Sequence, residues 1–129
     1  MSAARNHKPF DLEERTYAFA LEVRLFLRHT KWDPVSWPDI KQLLRSSGSV
    51  AANYVESIES ISDADALYRL RVTKKEARES GLWLRLINDS NPIDEKVHRN
   101  LDELINETYE LVKIFVTIIR KKSESQSLP

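Results

Sequence analysis

Apolar residues recur at steps of three and four positions in four long segments, separated by short polar breaks. That period is the one a helix shows when it buries one face. The first segment, from about Asp11 to Thr30, puts Leu12, Thr16, Phe19, Val23, Phe26 and Leu27 on one strip. Tyr17, Leu21 and Leu25 form a second strip beside it, and Lys31-Trp32-Asp33-Pro34 ends the segment. The second starts near Ser36, which can cap free N–H groups, with Pro38 in the first turn, where its missing N–H costs nothing. Its expected inner face is Ile40, Leu43, Leu44, Ser47, Ala51, Tyr54, Val55 and Ile58. The run Ser46-Ser47-Gly48-Ser49 is made of weak helix formers, small enough to let another helix come close. The third runs from Ser62 or Asp63 to about Asn88, with Leu67, Leu70, Ala77, Leu84 and Ile87 inward, and Asp89-Ser90-Asn91-Pro92 stops it. The fourth, about Asp94 to Lys122, carries Val97, Leu101, Leu104, Thr108, Leu111, Phe115 and Ile118 on one strip. A parallel strip holds Ile105, Tyr109, Val112, Val116 and Ile119.

Residues 1–9 read as a disordered N-terminal arm, 10–122 as one helical domain, and 123–129 as a disordered tail. Long helices joined by short connections pack as neighbours that run in opposite directions. The expected fold class is therefore all-α, an antiparallel up-down-up-down four-helix bundle. Only two Gly interrupt the chain, which favours long helices over a turn-rich β fold. Helices one and four each carry two apolar strips, whereas a monomeric bundle needs one. A second strip calls for a second packing partner, so a homo-oligomer is expected. The competing explanation is a wide core face on a monomer.

Composition narrows the chemistry. With no Cys, a disulfide framework, a zinc–thiolate site and a thiol nucleophile are excluded. Met1–Pro9 has no apolar core of a secretory signal, and no stretch reaches the roughly 18 apolar residues of a membrane span. A cytoplasmic protein without a membrane partner is expected. Twenty Lys and Arg balance twenty Asp and Glu, so any attraction to a polyanion must come from a local patch. The third helix offers one. Arg71, Lys74, Arg78 and Arg85 fall on one face, flanked by Lys75 and Arg69. Arg24, Arg28 and Lys31 add charge on helix one, and Arg120-Lys121-Lys122 on helix four, while Glu56, Glu59, Asp63 and Asp65 gather elsewhere. This stripe is a candidate phosphate-binding surface for RNA or DNA; the alternative is a solvated face with local ion pairs.

A second constellation is polar. Asn53 and Glu56 lie one turn apart, as do Glu76 and Glu79, and Arg45 lies two turns before Asn53. Beside apolar strips these five would form a hydrogen-bonded network that fixes helix register, the structural alternative to acid/base or metal chemistry. Four-helix bundles also host di-metal carboxylate sites, which need two Glu-x-x-His pairs. Here one such pair exists, Glu95 to His98, and Glu76 and Glu79 lack a His. The three His have no metalloprotease spacing, two Gly cannot build a phosphate loop, and the Ser residues 46, 47 and 49 have no His nearby in sequence. No catalytic residue, metal or cofactor is expected. Trp32, Trp37 and Trp83 read as packing residues at a bundle end or a subunit seam rather than as base-stacking platforms.

Three segments resemble a known family, the four-helix bundle proteins that include those encoded in intervening sequences of large-subunit ribosomal RNA genes. Arg45-Ser46-Ser47-Gly48-Ser49-Val50-Ala51-Ala52-Asn53-Tyr54-Val55-Glu56 is similar to that family's Ser-rich run followed by Asn and Glu. Lys75-Glu76-Ala77-Arg78-Glu79-Ser80, then Trp83-Leu84, is similar to its Lys-Glu-Ala-x-Glu run, and the stretch Leu104 to Ile119 completes the likeness. Ser57 stands where many members have Gly, which should lengthen or stiffen the end of helix two. The resemblance implies a ring-like homopentamer with an ill-defined biochemical role. A more distant relation, to an accessory protein of diversity-generating retroelements, implies nucleic acid and a reverse transcriptase as partners. The expectation is a non-enzymatic oligomeric scaffold, with a purely structural or protein-interaction module as the alternative.

Overall fold

A computed structural model of the chain describes residues 11–92 and 94–126. Four helices account for most of them: α1 (Leu12–Arg28), α2 (Trp37–Ile58), α3 (Asp63–Ser90) and α4 (Glu95–Gln126), with a single 3-10 turn, Pro34–Ser36, before α2. The fold is all-α. The expected arm at 1–9 lies outside the described residues.

The helix starts follow from capping. Asp11 accepts from the Glu14 N–H at 3.2 Å, Ser62 from Asp65 at 3.1 Å, and Asp94 from Val97 at 2.9 Å. Each satisfies a first-turn donor that has no partner within the helix. Ser36 does not cap α2 as expected. Asp33 instead accepts from the Val35 N–H and starts the 3-10 turn, and the buried Ser36 hydroxyl lies 3.0 Å from Asn91 Oδ1, tying this turn to the α3–α4 connection. Helix α4 continues past the expected end near Lys122, so residues 123–126 of the expected tail are helical. The Gln126 side chain donates to the Asp63 carbonyl, and Lys122 lies 3.6 Å from the Asp63 carboxylate. Residues 127–129 lie outside the described residues.

Helix α3 packs against α2 on one side and α4 on the other; α1 packs mainly on α2 and meets α4 over a short stretch. The contacts order the pairing. Ser46 meets Ser80, Ser49 meets Glu76, and Asn53 meets Arg69. Asn88 donates to Asp102, and Arg15 grips Glu107 with two bonds of 2.8 and 2.9 Å, joining α1 to α4. The core holds Phe19, Val23, Leu43, Leu84, Leu111 and Phe115, all fully buried. All five expected inner residues of α3 are buried.

Helix α2 is rotated relative to the expectation. Val55 and Ile58 are exposed, and Ser46, Val50 and Ser57 are buried instead. Small polar residues face α3, where the two helices come close enough for the Ser46 and Ser80 hydroxyls to bond at 2.8 Å. The Ser57 hydroxyl turns back to the Tyr54 carbonyl at 2.6 Å, which satisfies it locally.

The two glycines sit at helix crossings of different tolerance. A Cβ at Gly81 would stand 2.8 Å from Oγ1 of Thr108, a short, buried, β-branched side chain whose hydroxyl already bonds the Ile105 carbonyl. A Cβ at Gly48 would meet only Nη2 of Arg24, the end of a flexible chain, at 2.9 Å. Ala gains about 1 kcal/mol over Gly in a helix, against about 1–3 kcal/mol for overpacking. Gly81→Ala should therefore lower stability by about 1 kcal/mol, while Gly48→Ala leaves it equal or higher. Urea melts of the two variants check the contrast, and equal midpoints would show that Thr108 yields freely.

Candidate functional site

Two polar features stand out against the apolar core. The first spans α2 and α3. Arg45 reaches from α2 to both carboxylates, bonding Glu76 Oε2 at 3.1 Å and also Glu79. Ser49 donates to Glu76 Oε2 at 3.1 Å, Asn53 donates to the Ser49 hydroxyl at 2.8 Å, and Arg69 donates to Asn53 Oδ1 at 3.0 Å. Four of the five expected network residues are thus brought together: Arg45, Asn53, Glu76 and Glu79. Glu56 stays out. It is exposed, and among the described residues only its backbone carbonyl takes a bond beyond the helix ladder, from Ser60. Its neighbours Val55 and Ile58 are exposed with it, so the end of α2 turns this side to solvent. Ser49 and Arg69 were missed as members. Ser49 lies one turn before Asn53, within the small-residue run that the sequence offers as a close helix crossing. Arg69 flanks the basic stripe in sequence, which hides its turn toward α2.

Glu76 is buried to 7% exposure, and its environment explains how it stays charged. Burial alone would raise its pKa. The bonds donated by Arg45 and Ser49, together with the Arg45 charge, overcome this and hold it below its ordinary value. A carboxylate with a depressed folded-state pKa stabilises the fold above its unfolded pKa. That contribution fades as pH falls through the folded value. The wild type should therefore lose stability on acidification below about pH 4.5, and Glu76→Gln should lose less over that window while starting lower at pH 7. Thermal melts between about pH 3 and 7 test this; parallel curves for the two proteins would remove Glu76 from the account.

The candidate metal ligands are not assembled. Glu76 and Glu79 are held by Arg45, whereas His98 meets the Asn88 amide oxygen near the α3–α4 connection. Among the described residues no group of three or more His, Cys, Asp or Glu is placed to hold a metal ion.

The second feature is the outward face of α3. Arg71, Lys75, Arg78 and Arg85 are exposed and Lys74 is half-buried. Among the described residues none of the five side chains makes a hydrogen bond or ion pair. Between residues 66 and 88 the only acidic residues of α3 are Glu76 and Glu79, both turned to Arg45. Two expected contributors are spent elsewhere. Arg69 is drawn to Asn53, and Arg24 crosses to α2, donating to the Ser47 hydroxyl and the Leu44 carbonyl. Arg28, Lys31, Arg120 and Lys121 are exposed at the helix ends.

Exposed apolar side chains accompany the charges. Tyr68, Leu82 and Leu86 stand on α3, Tyr109 and Val116 on α4, and Tyr17 and Leu25 on α1. An open groove of about 450 Å³ between α1 and α2 is lined by Glu13, Glu14, Tyr17, Gly48, Ala51, Ala52 and Val55. Trp32 packs edge-on against Phe26 and donates to the Leu27 carbonyl. Trp83 is half-buried, with its indole nitrogen enclosed and unpartnered among the described residues. Trp37 is 57% exposed in the single chain.

These features define a class: a small all-α four-helix protein with a cross-helix polar network and one basic helix face. The chain belongs to the 23S rRNA-intervening sequence protein family, whose profile matches residues 12–113. It is similar to a crystal structure from Bacteroides thetaiotaomicron, a protein of unknown function from the S23 ribosomal protein family. The identity is 27% over 84% of this chain and 97% of that one, with a TM-score of 0.69. The chain matches no curated protein. Among the described residues no helix is long and apolar enough to cross a membrane.

Proposed function

We propose that this protein is a non-enzymatic cytoplasmic scaffold. It is an antiparallel up-down-up-down bundle that assembles as a ring-like homo-oligomer, a pentamer by family resemblance. It binds nucleic acid, or a nucleic-acid-processing partner, through the basic face of α3. The observation that carries the binding reading is the set of five cations, Arg71, Lys74, Lys75, Arg78 and Arg85, with no internal partner among the described residues. A cation already paired within the fold gains little from a phosphate; an unpaired one releases the counterions of the polyanion it meets.

The opposed order of the α2–α3 and α3–α4 pairings supports the bundle topology. The exposed strips on α1 and α4 support self-association, since Tyr17, Leu25, Tyr109 and Val116 remain uncovered in a single chain. The small-residue floor of the α1–α2 groove would admit a helix of a second copy closely. Assembly repeats the basic face around the ring, so contacts weak in one copy add up.

The test has two readouts. Light scattering at micromolar concentration should give a mass several times 15.0 kDa; a monomer mass would end the scaffold reading. Anisotropy titration against short RNA and DNA should give at least micromolar affinity that falls tenfold or more between about 50 and 200 mM salt. Absence of binding at the lower salt would turn the face into a protein-interaction surface.

A further inference from the structure

We infer that the outward face of α3 takes a single strand in preference to a duplex, with the Tyr68 ring as its stacking platform. The inference rests on the nucleic-acid reading above and makes it more specific. Tyr68 is the most exposed aromatic ring among the described residues, at 61%. It sits three residues before Arg71, seven before Lys75 and ten before Arg78, steps that place all four side chains on one helix face. Leu82 and Leu86, also exposed, continue the same face toward Arg85. From Tyr68 to Arg85 the stripe runs about 25 Å at 1.5 Å per residue.

The interleaving of apolar groups with cations decides between the two ligand forms. A duplex offers a protein helix its phosphates and groove edges, while its base faces are stacked inside. A single strand presents phosphates and bare base faces together, and bases stack on exposed aromatic rings. A purely phosphate-binding face has no use for exposed Tyr and Leu beside its cations; a face for a single strand does.

The Tyr68 ring also has a fixed support. The Arg69 guanidinium carbon lies 5.6 Å from the ring centroid. Arg69 is itself held by Asn53 Oδ1 at 3.0 Å, and the Asn53 amide donates to the Ser49 carbonyl at 2.9 Å and hydroxyl at 2.8 Å. The neighbour that flanks the ring is therefore tied through two links to α2, which limits the ring's freedom before any ligand arrives. Order present in the free protein is order that binding need not impose. The polar network of α2 and α3 thus supports the binding face, a role the sequence pattern of its members did not suggest.

The experiment is an anisotropy titration of the full chain with labelled single strands of about 15 nucleotides and the duplexes of equal phosphate count, in RNA and DNA arms. Single strands should bind at least tenfold more tightly than duplexes in whichever sugar series binds. Tyr68→Ala should weaken single-strand binding about tenfold and leave duplex binding within twofold, while Tyr68→Phe, which keeps the ring, stays within twofold of wild type. Since the ring is exposed, both variants should melt with the wild type. Duplex binding as tight as single-strand binding, or an unchanged single-strand affinity in Tyr68→Ala, overturns the inference and leaves the basic face as a plain phosphate surface. Failure of every probe to bind overturns the nucleic-acid reading as well.

Discussion

Phe115→Ala should lower the unfolding free energy by about 3–5 kcal/mol, the range for truncating a fully buried Phe. Phe115 is fully buried on α4, and its ring meets the Tyr54 ring of α2 at a centroid distance of 5.7 Å and an interplanar angle of 55°. Truncation removes the ring's transfer free energy, leaves a cavity between two long helices, and strips the half-buried Tyr54 of its aromatic neighbour. The helices cannot close on the gap without breaking other contacts. Leu111, one turn earlier on α4, is fully buried, and Ser57, one turn after Tyr54 on α2, is buried and bonded to its carbonyl. At about 3–4 °C per kcal/mol for a domain of this size, the melting temperature should fall by about 10–20 °C. Wild type and variant must be compared at one protein concentration, because self-association would itself raise the apparent stability. A loss below about 1.5 kcal/mol would mean that the site collapses around the smaller side chain.

The inner face of α3 was legible in the sequence because it follows the simplest rule available. Leu67, Leu70, Ala77, Leu84 and Ile87 are apolar at helical spacing, and all are buried. The face of α2 was not, and the reason is chemical. Its closest contact is made by Ser46 and Ser49 on one side and Ser80 and Glu76 on the other, residues that a hydrophobic pattern scores as surface. Counting apolar positions rotated the helix toward Val55 and Ile58, which are exposed. Small polar residues are buried where helices approach closely and hydroxyls can bond each other or the preceding turn. A run of three Ser around a Gly was the available signal.

The same limit applied to the charges. Periodicity put Arg71, Arg78 and Arg85 on one face, and they are exposed there. It could not tell that Arg24 and Arg69 leave the charged surface to bind groups on α2. An Arg side chain reaches several ångströms and carries five donors, so its destination depends on what the neighbouring helix offers. Glu56 and Glu76 make the complementary case. Spacing places both in the network, yet among the described residues only the Glu76 carboxylate has an Arg and a Ser within reach.

The triple reversal Arg71→Glu, Arg78→Glu, Arg85→Glu should reduce nucleic-acid affinity at least 100-fold at about 100 mM salt and leave the fold nearly unchanged. The three side chains are exposed and have no internal partner among the described residues, so the fold loses no contact with them. Surface charge changes of this kind usually shift stability by about 0.5 kcal/mol or less. Binding has no such buffer. Each phosphate contact on a single strand contributes about 0.7 to the salt slope, so five cations give about 3.5 and the two that remain about 1.4. The slope separates the explanations that affinity alone would confuse. If the reversal merely disturbed assembly, affinity would drop as avidity was lost, but each surviving copy would still engage its phosphates with the original per-copy slope. If the face itself holds the phosphates, slope and affinity fall together while the mass by light scattering stays constant. Arg28→Glu with Lys31→Glu, which reverses two exposed cations at the end of α1, supplies the matched control and should keep both slope and affinity close to wild type.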